Sequence, residues 1–455
     1  MSGPTGDLTP SDQGQPPVDP GDGGVHGGPG ALLDPHDAVS RRTLFTISGA
    51  AALAGTTMGI TAGGLAAQMT RTRRSPDTAP DTAPVPRLAP TDMTVTSGDL
   101  PHGLADPVPA FGTLLAFDVT PAARRTSHTT RAAASAFLRG TGPIPTQPSG
   151  GVGVSGLDLS PTNLQVTPGI GASLLDAVGL AGRRPEAFVD LPRFAVDRLD
   201  PRVCDGDLLV QVGAEDPMRL AGAVQQVLSL AGDGVRLRWS RSGFKATAAA
   251  SQHPTGTPRN LMGHRDGSAN PPLGTVRWDY TVRVPTPGWM RDGSYLVVRQ
   301  IRIDLTRWFA EPADVRDRAI GRDTTSGAPL GGHGEFETAD LSARDASGQP
   351  VIPRSAHLRL ANQVNTRAAR TYRRSWNYDD GFDGFDGFDA SGRRQAGLVF
   401  VAWQSDICRG STPIQQSLDA GHDGLSDYLT HFGSAVFAIP ARGDDDYPGQ
   451  SLLES

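Results

Sequence analysis

Cysteine is nearly absent: Cys204 and Cys408 are the only two in 455 residues. So few thiols exclude a disulfide framework and a cysteine-built zinc site. The sequence allows one bridge between them, and two unpaired buried thiols are the simpler reading. An excess of one charge is also missing. A formal net charge of −6 over this length provides no concentrated basic face, so nucleic acid is not an expected partner. Large apolar residues are scarce in residues 1–39, where Gly, Pro and Asp dominate. Such a segment buries too little surface to offset its chain entropy and is expected to be disordered. The remaining chain is too long for one ordinary core and suggests two domains with extensions.

A strongly apolar run is lacking too. After Ser40-Arg41-Arg42-Thr43-Leu44-Phe45 comes an uncharged stretch to about Gln68, long enough to span a bilayer but rich in Gly, Ala and Thr. Paired arginines recur at Arg124-Arg125, Arg183-Arg184 and Arg393-Arg394, so the pair alone says little. Its place directly before a moderately apolar segment, ending in small residues around Leu65-Ala66-Ala67, resembles a twin-arginine export signal. The twin-arginine export machinery is thus an expected partner. The mature form is expected outside the cytoplasm, extracellular, periplasmic or envelope-associated, with no stable membrane span. Residues 1–68 are assigned to the leader and signal. Residues 69–105, rich in Pro, Thr and Asp, read as a linker.

What is present beyond the linker is a repeat. Asp207-Leu208-Leu209-Val210-Gln211-Val212-Gly213-Ala214-Glu215-Asp216 runs into a helical pattern through Ala221, Val224, Val227 and Leu228. Gly397-Leu398-Val399-Phe400-Val401-Ala402-Trp403-Gln404-Ser405-Asp406 runs similarly into Ile414-Gln415-Gln416-Ser417-Leu418. Each is an apolar strand, an acid near its end, then a helix. Another strand and helix precede each copy: residues 111–119 before 131–138, and 295–305 before 308–320. Ile301, Ile303 and Leu305 alternate with Arg302 and Asp304, a period that predicts one buried and one polar face. The doubled pattern predicts an α+β protein of two duplicated ferredoxin-like domains, over 106–290 and 291–455, with antiparallel sheets and peripheral helices.

Two tempting motifs fail on context. Gly151-Val152-Gly153-Val154-Ser155-Gly156 spells a dinucleotide fingerprint, but no strand precedes it and no helix follows, so it is read as a loop. The Asp-Gly-Phe triplets of residues 380–389 lack the spacing of a calcium loop and are read as a surface insertion. Among ten histidines, most lie in glycine-rich or unstructured surroundings: His26, His36, His102, His264, His333 and His422. His357 differs, sitting among Ala356, Leu358, Leu360 and Ala361. A lone histidine there is ordinarily a hydrogen-bonded core residue.

A family resemblance changes that reading. Gly263-x-x-Asp266-Gly267 with Asn270-Pro271, then Ile320-Gly321-Arg322-Asp323 through Gly331, then Ile352-Pro353-Arg354-x-Ala356-His357-x-Arg359-x-Ala361-Asn362, then Arg373-Arg374-Ser375-Trp376-Asn377-Tyr378-Asp379, resemble in order the motifs of the dye-decolourising peroxidases. Gln363 departs from them, standing where proline is common. The resemblance implies a haem peroxidase that reduces hydrogen peroxide and oxidises aromatic, phenolic or dye-like reductants. It implies haem b, held mainly by the C-terminal domain, with His357 on the metal and Gly267, Ser268, Ala269, Asn362 and Arg373 around the cofactor. Asp266 would move the peroxide proton and Arg373, preferred over Arg374, would stabilise developing charge. Asp406 and Asp427 are the expected candidates for orienting His357. Trp376, Tyr378, Tyr372 and Trp403 are candidate electron relays, with packing as the plainer role. The alternative function is exported haem or iron handling of the deferrochelatase type.

Overall fold

The computed structural model describes residues 100–144, 163–246, 257–382, 394–443 and 445–455. The twin-arginine stretch, His26, His36, residues 151–156 and most of the Asp-Gly-Phe triplets lie outside the described residues. Of the stretch expected as linker, residues 100–105 are described, and Leu100 and Leu104 are buried in the core.

In the first half the chain forms β1 (Phe111–Val119), α1 (Ser127–Thr141), β2 (Gln165–Gly171), α2 (Ala172–Ala177), β3 (Leu208–Ala214), α3 (Pro217–Ser229) and β4 (Val235–Phe244). After α4 (Val276–Val282) the pattern recurs as β5 (Ser294–Ile303), α5 (Leu305–Ala310), α6 (Ala313–Ile320), α7 (His357–Leu360), β6 (Tyr372–Arg373), β7 (Trp376–Phe382), β8 (Arg394–Gln404), α8 (Ser411–Ala420) and β9 (Leu429–Ile439). The acids that end the repeated strands order the turns that follow, and the first of them starts a helix. The Asp216 carboxylate accepts from Met218 and Arg219 backbone N–H groups ahead of α3, whose first residue is Pro217. Asp406 accepts from the Arg409 N–H in the equivalent turn.

Two details differ from the sequence expectation. The helix expected over residues 308–320 is broken into α5 and α6 at Glu311-Pro312, because proline disfavours helix at the residue before it and carries no N–H. β5 is buried on both faces along most of its length, and the buried–polar alternation survives only at its end. A central strand with another sheet on one face and helices on the other has no solvent side.

Each half is an antiparallel sheet of the same order, β2-β3-β1-β4 and β9-β5-β8-β7, the ferredoxin-like arrangement twice over. Short seams join them: Phe244 pairs Asn377, and Ile170 and Gly171 pair Ala438 and Phe437. Because β5 pairs both β8 and β9, the strands close into a ring, which leaves few open edges. Between the sheets lie Leu114, Leu209, Leu296, Val298, Trp403 and Phe437. Fully burying each aliphatic or aromatic side chain contributes roughly 1.5–3 kcal/mol. The outer face of the first sheet packs on α1 and α3 through Phe117, Phe137, Leu220 and Val227.

Trp376 pins the halves together. Its indole N–H donates to the Pro109 carbonyl at 3.0 Å. It occupies a slot made by Gly112 and Gly243, paired on β1 and β4; a Cβ at either would come within 2.6 Å of Trp376. Trp376, Tyr378, Tyr372 and Trp403, considered above as relays, are all buried packing residues. Both cysteines are free, but only Cys204 is buried; Cys408 is exposed, contrary to the expectation of two buried thiols.

A second junction is polar. Buried Arg299 on β5 holds Asp197, His431 Nδ1 at 2.8 Å and Ser434 Oγ at 3.0 Å. Burial, reinforced by Arg299, pushes the His431 imidazole down to about 3. Between roughly pH 6.5, the ordinary imidazole value, and that lowered value the unfolded chain takes up a proton that the folded one refuses. Stability is therefore lost as pH falls through this window. Thermal unfolding followed from pH 7 to 4 should show the loss, and His431→Asn should flatten it.

Candidate active site

Three separate segments converge below the seam. The first is the loop carrying Asp266. Gly263 and Gly267 have φ of +88° and +121°, the left-handed region that favours glycine, and they fold the loop back so that the Asp266 N–H donates to Pro258 O. His264 is buried in this loop, and its Nε2 lies 3.0 Å from Asp317 Oδ1 and 2.8 Å from Thr324 Oγ1, tying the loop to α6. Burial lowers its pKa despite the Asp317 carboxylate. His333, by contrast, is exposed. Ser268 Oγ donates to Glu335 at 2.9 Å, and Ala269 is exposed.

The second segment is the edge of β8 occupied by β6 and β7. Between these strands Arg373 and Arg374 diverge. Arg374 is fully buried and donates to the carbonyls of Leu104 and Asp106 and to Gln165 Oε1. Arg373 faces the loop, with Nη2 3.5 Å from Asp266 Oδ1 and both side chains about a quarter exposed, at 26% and 23%. Its backbone is clamped by Asn270: the amide donates to Arg373 O at 2.8 Å and accepts from Arg373 N at 3.0 Å. That reciprocal pair sets the height of the arginine above the loop, a role that the Asn270-Pro271 motif did not disclose.

The third segment is α7, the single turn that begins at His357. His357 Nδ1 lies 2.8 Å from Asp423 Oδ2, in the turn that follows α8. Neither expected acceptor is the partner: Asp406 caps its own turn, and Asp427 is 79% exposed beside Arg307. Asp423 is 66 positions away in a Gly-His-Asp-Gly turn, and no local signal marks it. Burial works against charge on His357, but the Asp423 carboxylate outweighs it and raises the pKa. Asp266 and Arg373 also act electrostatically on this imidazole, behind the larger effects of burial and Asp423. No described residue engages Nε2. Asn362 turns its amide oxygen to the Val364 N–H just beyond α7.

The arrangement is a paired carboxylate and guanidinium, and an oriented imidazole with one nitrogen spare. Comparison with known proteins gives the family. The Dyp-type peroxidase N-terminal model matches residues 101–245 and the Dyp-type peroxidase C-terminal model residues 257–444. The chain belongs to the Dyp-type peroxidase family. It is 42% identical over 432 residues to a dye-decolorizing peroxidase of Thermobifida fusca, covering 91% of this chain and 97% of that protein. A deferrochelatase of Escherichia coli is 31% identical over 433 residues, with the same shares covered. Among solved structures, ferric DtpA from Streptomyces lividans aligns with a TM-score of 0.71 at 37% identity, over 77% of this chain and 94% of that one. A DyP-type peroxidase from Streptomyces coelicolor gives 0.71 at 38%, over 78% and 96%.

Like its family, this protein is a haem-dependent peroxidase, acting on hydrogen peroxide and a reducing substrate. Its own residues fit the cofactor. The spare Nε2 of His357 is a suitable donor for haem iron, and the Asp423 bond fixes the tautomer that leaves it available. Arg322, whose pKa is lowered by burial and then by the nearby Arg373, and Arg373 itself offer cations for haem carboxylates. Replacing an acceptor behind a metal-ligating histidine typically costs about 10–100-fold in affinity. Asp423→Asn is therefore expected to weaken haem retention about tenfold or more, measured by transfer to apomyoglobin.

Proposed function

We propose that this DyP-type peroxidase binds haem b between His357 and the Asp266–Arg373 pair, mainly through its C-terminal half, with Gly267, Ser268, Ala269 and Asn362 beside the cofactor. The observation that carries this reading is the Asp266–Arg373 ion pair near enough to His357 to act on its imidazole, whose Nε2 no described residue engages. When bound, haem supplies the redox chemistry, taking oxidising equivalents from peroxide and passing them to the reductant. Asp266 takes the proton from one peroxide oxygen and returns it to the other, which departs as water. Arg373 stabilises negative charge on that departing oxygen. Asn270 holds Arg373 at the required height, and Asp423 holds the His357 ring in place. Phenolic and dye-like molecules are the reductants.

Purified protein should show a Soret band that responds to hydrogen peroxide, and should oxidise a phenolic dye only when peroxide is present. A folded protein that stays colourless after haem reconstitution would overturn the assignment. A second reading, haem iron release, is favoured by the deferrochelatase relatives; iron appearing with intact porphyrin, without dye turnover, would support it. Export rests on the Arg41-Arg42 signal and would deliver the protein, already folded with its cofactor, to the periplasm, cell envelope or medium. Among the described residues no helix is long and apolar enough to cross a membrane. Replacing Arg41-Arg42 with two lysines should retain the protein inside the cell, as fractionation would show.

A further inference from the structure

Lys245 is the only lysine in the chain, although Lys and Arg together number 42. It directly follows β4, and its backbone N–H donates to the Ala110 carbonyl at 2.9 Å. There it lines a cavity of about 210 Å³ shared, among the described residues, with Arg259, Arg373, Arg374 and a single carboxylate, Asp266. Four cations against one carboxylate make the lining strongly positive. The arginines are already committed: Arg259 to three backbone carbonyls, Arg374 to two carbonyls and Gln165, Arg373 to Asp266. Among the described residues no hydrogen bond or ion pair engages the Lys245 ammonium. Glu215 acts on it only at longer range, its carboxylate being taken by the Asn163 amide and the Ala110 N–H.

A half-buried ammonium pressed by Arg374 and lacking a carboxylate at contact distance is costly unless an anion completes it. We propose that this cavity is a binding subsite for a small inorganic anion carrying one negative charge, held by the Lys245 ammonium beside Asp266 and Arg373. Bound there, the anion occupies the space next to Asp266 and Arg373. Burial, then Arg374, bring the Lys245 ammonium down to about 8, opposed by Glu215. The anion is thus held below that pH and released as the ammonium deprotonates. The inference concerns binding to the resting protein and does not rest on the roles proposed for Asp266 and Arg373 in turnover.

The test uses the haem-loaded protein, with nitrate as the probe and ionic strength held constant by a bulky organic sulfonate. Isothermal titration at pH 6.5 should give saturable binding of one nitrate with no movement of the Soret band, which excludes binding at iron. Lys245→Met should weaken it by roughly 10- to 100-fold, the worth of a hydrogen bond to a charged group. Affinity of the parent should fall as pH rises from 7 to 9.5. Lys245→Arg, whose charge persists, should keep its affinity over the same range. Since Lys245 is the sole lysine, reductive methylation with ¹³C-formaldehyde should add one lysine resonance, and nitrate should shift it. Absence of saturable binding, or binding that is equal in Lys245→Met and independent of pH, would overturn the proposal.

Discussion

His357→Ala is expected to lose haem, not merely to turn over slowly. The substitution removes the imidazole whose Nε2 is unengaged and whose Nδ1 is held by Asp423. Loss of the ligand itself should exceed the about 10–100-fold effect of disturbing its supporting acceptor. It also leaves the Asp423 carboxylate, only 6% exposed, without its main partner. An unsatisfied buried acceptor costs about 1–3 kcal/mol, and the partial exposure of His357 argues for the lower end. Two outcomes follow: a preparation depleted of haem and a lower unfolding midpoint. Adding Asp423→Ala should recover part of the midpoint but none of the haem. Exogenous imidazole should restore a Soret band in the His357→Ala cavity. Full haem occupancy with an unchanged ferric spectrum would show that another residue is the ligand.

Asp266→Asn should slow the reaction with peroxide by about 10²- to 10⁴-fold, the usual contribution of a positioned acid–base group. The amide keeps the shape and can still meet Arg373, but it cannot accept the peroxide proton. Arg373→Met should slow the same step at least comparably if charge stabilisation dominates, since a single preorganised donor is commonly worth about 10²–10³-fold. The two groups touch, so the double variant should fall well short of the product of the single effects. Stopped-flow measurement of the peroxide-induced Soret change reads this step apart from dye oxidation. Both variants reacting at the parental rate would remove Asp266 and Arg373 from the proposed machinery. Arg374→Met provides a contrast: its side chain faces the N-terminal half, so its main cost should appear as stability.

Much of the architecture follows from short-range pattern. The apolar runs at 208–214 and 397–403, each closed by an acid and followed by a helical period, are the β3–α3 and β8–α8 units. Asp216 starts α3 because its carboxylate satisfies free N–H groups at the helix N-terminus, whereas Asp406 caps only the turn ahead of α8. The ordered motifs around Asp266, His357 and Arg373 similarly identify the family before any contact is known.

From residue pattern alone came β1, β3, β5 and β8 with the helices after them, the doubling of that pattern, and the candidates for the site, while β2, β4, β6, β7 and β9 went unmarked. Tertiary structure alone decided their partners. Adjacent residues on an extended strand point to opposite faces, so Arg373 and Arg374 must diverge. Only the packing of β6 against β8 and the N-terminal segment decides that Arg373 meets Asp266. Asp423 reaches His357 because α8 packs beside α7, a contact spanning 66 positions that no local period encodes. The two-sided burial of β5 likewise depends on closure of the strand ring, and the lone lysine acquires its cationic neighbours only where the two halves meet. Local patterns record the free energy of one segment against solvent, whereas a functional site is made by register and packing between segments distant in the chain.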